Sequence, residues 1–137
     1  MKYYRYKAIA SRFYKGVDGV ILVYDITSEE SYNKVDSWVE QAKENTTKDL
    51  PFILVGNKSD LDDQRQVKYA EGEKLSNKLN WPFFEVSALS KENIDSVFEK
   101  MVEIILPKKL KQKKDRDDMR ATLKNSKKAK QKDGWKW

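Results

Sequence analysis

The 137-residue chain contains no cysteine and no histidine, and only 5 glycines and 3 prolines. Without cysteine or histidine we expect no disulfide, no metal held through thiolate or imidazole, and no Cys or His nucleophile or cysteine-borne lipid anchor. The amino-terminal run Met1-Lys2-Tyr3-Tyr4-Arg5-Tyr6 lacks the apolar stretch of a secretory signal. Nor does any segment approach the ~18 uncharged apolar residues of a membrane-spanning helix. These absences lead us to expect an intracellular, cytoplasmic protein. What is present has globular composition: 39% apolar and 12% aromatic residues support one domain with a single core.

Charge is unevenly placed. Residues 107–137 hold 13 Lys and Arg against 4 Asp, a net +9, whereas residues 1–106 hold 15 basic against 18 acidic residues, a net −3. The basic character of the chain therefore belongs to its tail. We expect a folded domain over 1–106, followed by a tail over 107–137 that is disordered or a frayed helix, since dense charge and few apolar residues cannot build a core.

Within the folded part, Val17 to Asp25 is a continuous β-branched apolar run, expected as a strand buried on both faces. Pro51 to Asn57 repeats the pattern, and Trp81 to Ser87 is a third, shorter strand with Pro82 near its start. Between them, Thr27 and Glu30 have the spacing of a capping box before a helix whose apolar face is Tyr32, Val35, Trp38, Val39 and Ala42. Tyr69 to Leu79 is a more polar helix with Ala70, Leu75 and Leu79 as its apolar positions. Ile94, Val97, Phe98, Met101, Val102 and Ile105 then repeat at helical spacing. Strands alternating with helices over connections this short require parallel pairing through crossovers, hence an open α/β sheet of three parallel strands with flanking helices.

In such a sheet, ligands bind beyond the carboxyl ends of the strands. Two motifs lie there: Asn57-Lys58-Ser59-Asp60 after the second strand and Ser87-Ala88-Leu89 after the third. Guanine presents two adjacent donors, its N1–H and its exocyclic amine, and a carboxylate accepts from both, which assigns Asp60 to base recognition. Adenine places an acceptor at N1 and is repelled by the same group. The methylene stem of Lys58 can lie along a base, Asn57 can bond across the loop or to the ring edge, and Ser87-Ala88 offers backbone N–H groups to the guanine carbonyl. Nowhere does the chain contain a Gly-x-x-x-x-Gly-Lys-Ser/Thr phosphate loop.

The run from Arg5 to Thr27, including Phe13-Tyr14-Lys15-Gly16-Val17-Asp18-Gly19-Val20-Ile21-Leu22-Val23-Tyr24-Asp25, resembles the segment after the second switch of Rab-type small GTPases of the Ras superfamily. Asn57-Lys58-Ser59-Asp60-Leu61 resembles that family's fourth guanine motif, and Glu85-Val86-Ser87-Ala88-Leu89 its fifth. The resemblance implies a partial P-loop GTPase fold over about residues 5–106. It also implies guanine-binding roles for Asn57, Lys58, Asp60, Ser87, Ala88 and Leu89, GTP or GDP as ligand, a role in vesicle-mediated transport, and effectors and exchange factors as partners. The family's phosphate loop, magnesium-binding threonine and Asp-x-x-Gly motif have no counterpart, and Tyr3 aligns where the family has its catalytic glutamine. No catalytic or metal-binding residue is assigned, and magnesium enters by family analogy alone.

Hydrolysis by these residues alone is not expected, because nothing holds the γ-phosphate against a water. Weak guanine binding is. The missing neighbouring strand would leave Val20 to Tyr24 as an unpaired apolar edge, inviting self-association. An alternative reading is a non-enzymatic interaction module that uses this edge, the helix around Arg12-Phe13-Tyr14, or the tail. Lys108, Lys109, Lys111, Lys113 and Lys114 are candidates for weak contact with an anionic membrane or nucleic acid, with Trp135 and Trp137 as anchors. A prenyl anchor of the family's kind is not expected, since the sequence closes on Trp135-Lys136-Trp137.

Overall fold

The computed structural model describes residues 14–46 and 50–132. The expectations for Tyr3, for Arg12 and Phe13, and for Trp135 and Trp137 lie outside the described residues. Three strands, β1 (Val20–Asp25), β2 (Phe52–Asn57) and β3 (Phe83–Glu85), form a parallel sheet in the order β1-β2-β3. The register pairs Val20 with Phe52 through Asp25 with Asn57, and Leu54 with Phe83 through Gly56 with Glu85. This is the α/β architecture expected from the alternating pattern.

The central strand is buried on both faces, with Phe52, Ile53, Leu54 and Val55 all in the core. β1 departs from expectation, because Val23 is 56% exposed. The amides of Val20 and Ile26 reach the carbonyls of Pro51 and Asn57 at 2.9 and 3.1 Å. Alternate residues of a parallel strand direct their peptide groups the same way, so those of Ile21 and Val23 point outward. No partner for them occurs among the described residues. Among the described residues β1 is an edge strand.

One sheet face packs Leu22, Tyr24 and Leu54 against α1 (Glu29–Asn33), α2 (Val35–Glu44) and α3 (Tyr69–Leu79), with Val35, Val39 and Val67 in the same cluster. The predicted first helix is thus two helices, meeting at Lys34. Its cap also differs. Ser28, not Thr27, caps α1, its Oγ accepting from the Ser31 N–H at 3.2 Å. Thr27 is drawn instead to the Asp25 carboxylate, to which its N–H and hydroxyl donate at 2.8 and 2.6 Å. Val35, Val39 and Ala42 are buried as expected, while Trp38 is exposed.

α3 presents Gly72 and Ser76 inward, and Ala70 faces solvent, contrary to its expected position on the apolar side. The cause is close approach: a Cβ at position 72 would overlap the Tyr24 hydroxyl and the Phe83 ring. Trp81 stacks on Phe52 with ring centroids 4.5 Å apart.

α4 (Ile94–Lys132) covers part of the opposite sheet face. Val97 and Met101 are buried, but Phe98 and Val102, expected on the same apolar face, are exposed. The helix is apolar over a wider arc than a three-stranded sheet can cover, and Phe98 shares an open apolar groove with Ile21 and Val23 of the edge strand. The chain divides into two compact units, Met1–Val102 and Glu103–Trp137. Pro107, where the sequence pattern changes, lies inside α4, which continues through it with one backbone hydrogen bond fewer because proline has no N–H. Every side chain described from 106 to 131 is exposed.

Candidate guanine-binding site

β2 and β3 end side by side, and their following loops are stitched together by side chains. Lys58 adopts a left-handed conformation (φ 68°, ψ 36°) that turns the chain sharply after β2. Asn57 Oδ1 accepts from the Lys58 N–H at 2.8 Å and from the Ala88 N–H at 3.2 Å, bridging the two motifs. The Ser59 N–H donates to the Val86 carbonyl at 3.0 Å. Ser87 is fully buried, and its hydroxyl donates to Asp60 Oδ1 at 2.7 Å while accepting from the Ser90 N–H at 3.0 Å.

Asp60 itself is exposed, so one carboxylate oxygen is oriented from behind while the group faces solvent. Lys58 forms an ion pair with Asp25 Oδ2 at 2.8 Å. Burial opposes charge on Asp25, but the hydrogen bonds from Lys58 and Thr27 and the charge of Lys58 outweigh it and hold the carboxyl below its usual range. The ammonium of Lys58 is thereby pinned to the end of β1, which leaves its stem to border the loop.

The structure brings Asn57, Lys58, Asp60, Ser87 and Ala88 together in these two adjacent loops, and places Leu89 beside them, 86% exposed. It also alters the backbone roles assigned from sequence. The Ser87 N–H donates to the Glu92 carbonyl at 3.1 Å, so this residue contributes its hydroxyl rather than its amide.

Sequence reasoning missed two supports. Arg65 forms a two-pronged ion pair with Glu85, both contacts at 2.7 Å, and donates to the Val67 carbonyl at 2.9 Å. It ties the segment after Asp60 to β3, and the pairing with Glu85 raises the Arg65 pKa, despite the opposing effect of burial. Asn93 donates to the Glu85 carbonyl at 2.9 Å and fixes the start of α4. Neither pairing leaves a local signal, since the partners are separated by 20 and 8 residues.

The donor and acceptor set suits the base of a guanine nucleotide. It does not suit the phosphates, for which the sequence has no glycine-rich cradle. Among the described residues no cluster of three acidic side chains could hold a metal ion, and no helix is long and apolar enough to cross a membrane.

Three parallel strands flanked by helices, with the Asn57–Asp60 and Ser87–Leu89 loops at the carboxyl edge, form part of a Ras-like GTPase fold. The Ras family model matches residues 4–107, and the chain belongs to that family. Within the family its likeness is to Rab-type small GTPases. It is 45% identical over 104 residues to Ras-related protein Rab-3 of Caenorhabditis elegans, a match covering 76% of this chain and 48% of that protein. It is 39% identical to Ras-related protein SEC4 of Candida albicans, over 76% of this chain and 50% of the relative. To human Ras-related protein Rab-3A the identity is 41%, over 76% and 47% of the two chains. The chain thus spans about half the length of these curated relatives.

Proposed function

We propose that this chain is the guanine-reading part of a Rab-like small GTPase, acting inside the cell in vesicle-mediated transport. It recognises the base of GTP or GDP and does not hydrolyse GTP by itself. The observation that carries this reading is the Asp60 carboxylate, oriented by the buried Ser87 hydroxyl at 2.7 Å and open to solvent between two loops. In this arrangement Asp60 accepts from guanine N1–H and the exocyclic amine, the Lys58 stem lies along the ring, and Asn57 holds the loops at the spacing of a base. GTP or GDP, when bound, supplies its own phosphates and any magnesium. The residues here contribute base selection and positioning. Effectors and exchange factors are the partner classes that family membership suggests.

Calorimetric titration with guanosine, GDP and adenosine tests this. We expect dissociation constants for guanosine on the order of millimolar to tens of micromolar, from two charge-assisted hydrogen bonds and stacking before entropy costs. Adenosine should not bind, and Asp60→Asn should abolish guanosine binding. Equal affinity for the two nucleosides, or indifference to Asp60→Asn, would sink the proposal.

The open edge of β1 supports a second reading, an interaction module that pairs its outward peptide groups at Ile21 and Val23 with another chain. Self-association is the simplest form of it. Absence of binding to any guanine compound, together with concentration-dependent assembly, would favour that reading over the first.

A further inference from the structure

The tail is helical to Lys132, and this regrouping of its charges shows a face that the linear sequence conceals. At ~100° per residue, Lys108, Lys109, Lys111, Lys113 and Lys114 are scattered right around the helix, so the consecutive lysines build no surface of their own. A different set aligns. Lys113, Arg116, Arg120, Lys124, Lys127 and Lys130 follow one another at steps of three and four, and fall within about 120° of arc over roughly 26 Å of helix.

All six are exposed. Among the described residues no ion pair neutralises them. Asp115 and Asp118 lie on other sides of the helix, while Asp117 borders the arc about 20° beyond Lys124. Met119 and Leu123, 66% and 56% exposed and one turn apart, lie within the span of the same face along the flank opposite Asp117.

We propose that this helix face is a docking surface for an anionic lipid bilayer, with the helix lying in the interfacial plane. Its charge is complementary to acidic headgroups, with six cations on the face against a single aspartate at its border. Met119 and Leu123 decide between two polyanions. The boundary between headgroups and acyl chains covers two adjacent apolar side chains, whereas a phosphodiester backbone gives them no apolar partner. The apolar content is small, so attachment is mainly electrostatic, reversible and sensitive to salt.

The test is co-sedimentation of the full chain with phosphatidylcholine vesicles, with and without phosphatidylserine, at low and physiological ionic strength. The face should bind only the anionic vesicles and release with salt. Two triple variants carry the same change in net charge. Arg116→Glu, Arg120→Glu and Lys124→Glu on the face should lower partitioning by about a hundredfold or more. Lys111→Glu, Lys114→Glu and Lys128→Glu off the face should lower it by less than about tenfold. Far-ultraviolet circular dichroism of both variants checks that the helix survives, and a separate Met119→Ser, Leu123→Ser variant should weaken vesicle binding without affecting helicity. Failure of the unaltered chain to bind anionic vesicles would overturn the proposal, as would equal losses in two triple variants of equal helicity. So would apolar variants that bind normally while duplex DNA or transfer RNA strips the chain from vesicles, which would assign the face to nucleic acid.

Discussion

The Ser87 hydroxyl donates to Asp60 Oδ1 at 2.7 Å across 27 residues of sequence, so the carboxylate proposed to read the base is aimed by a side chain buried in the neighbouring loop. Asp60 needs no burial of its own to be held, and it stays available to a ligand. Ser87→Ala leaves Asp60 Oδ1 and the Ser90 N–H without this partner. A hydrogen bond to a charged group contributes about 1.5 to 3 kcal/mol, of which part is regained from water at an exposed site. We expect guanosine affinity to fall by roughly three- to tenfold with the fold retained. Calorimetry beside a thermal melt separates the two effects, and unchanged affinity would show that Asp60 is oriented without the tether.

The Asp25–Lys58 pair makes a prediction on the acid side. The folded-state pKa of Asp25 lies below its ordinary value of about 3.9, so its contribution to stability is present above that value and is lost as pH falls through the folded pKa. Lys58→Met removes both the hydrogen bond and the charge that depress it. The variant should therefore lose less stability than the parent as pH falls below about 4. Urea midpoints measured across that range check this, and parallel curves for the two proteins would contradict it.

The edge strand predicts association. Val23 is 56% exposed, its own peptide groups and those of Ile21 face outward, and it shares a groove with the exposed Phe98. Light scattering after size exclusion should show mass rising with concentration, and Val23→Lys should shift the chain toward monomer, because an outward lysine on an edge opposes pairing. A chain that is monomeric at all concentrations would remove this surface from consideration.

The three strands, their parallel direction and the helix over Tyr69–Leu79 were legible because continuous apolar runs and short connections admit few topologies. Both loops of the candidate site were legible for the same reason, lying at the carboxyl ends of β2 and β3. The errors fall where one residue serves a partner that its neighbours in sequence do not announce. Thr27 has the right spacing for a cap, yet the Asp25 carboxylate claims it. Ala70 is apolar, yet Gly72 is the residue small enough to face Tyr24 and Phe83. Arg65 and Glu85 recognise each other only after β3 has been placed beside β2. Phe98 and Val102 fit the helical period perfectly, but the period says only where an apolar face points and not whether a sheet of three strands is wide enough to meet it.

Tyr24 is 2% exposed, its hydroxyl has no hydrogen-bond partner among the described residues, and burial raises its pKa. A Cβ at Gly56 would lie 2.9 Å from that same oxygen, and one at Gly72 would overlap it. The three positions form one steric unit shared by strand β1, strand β2 and helix α3. A larger residue at 56 presses first on the Tyr24 hydroxyl, and one at 72 on that hydroxyl and on the Phe83 ring together, so the cost of each change depends on what already stands at positions 24 and 83. The order in which substitutions arrive, rather than their sum, determines which variants of this sheet can exist.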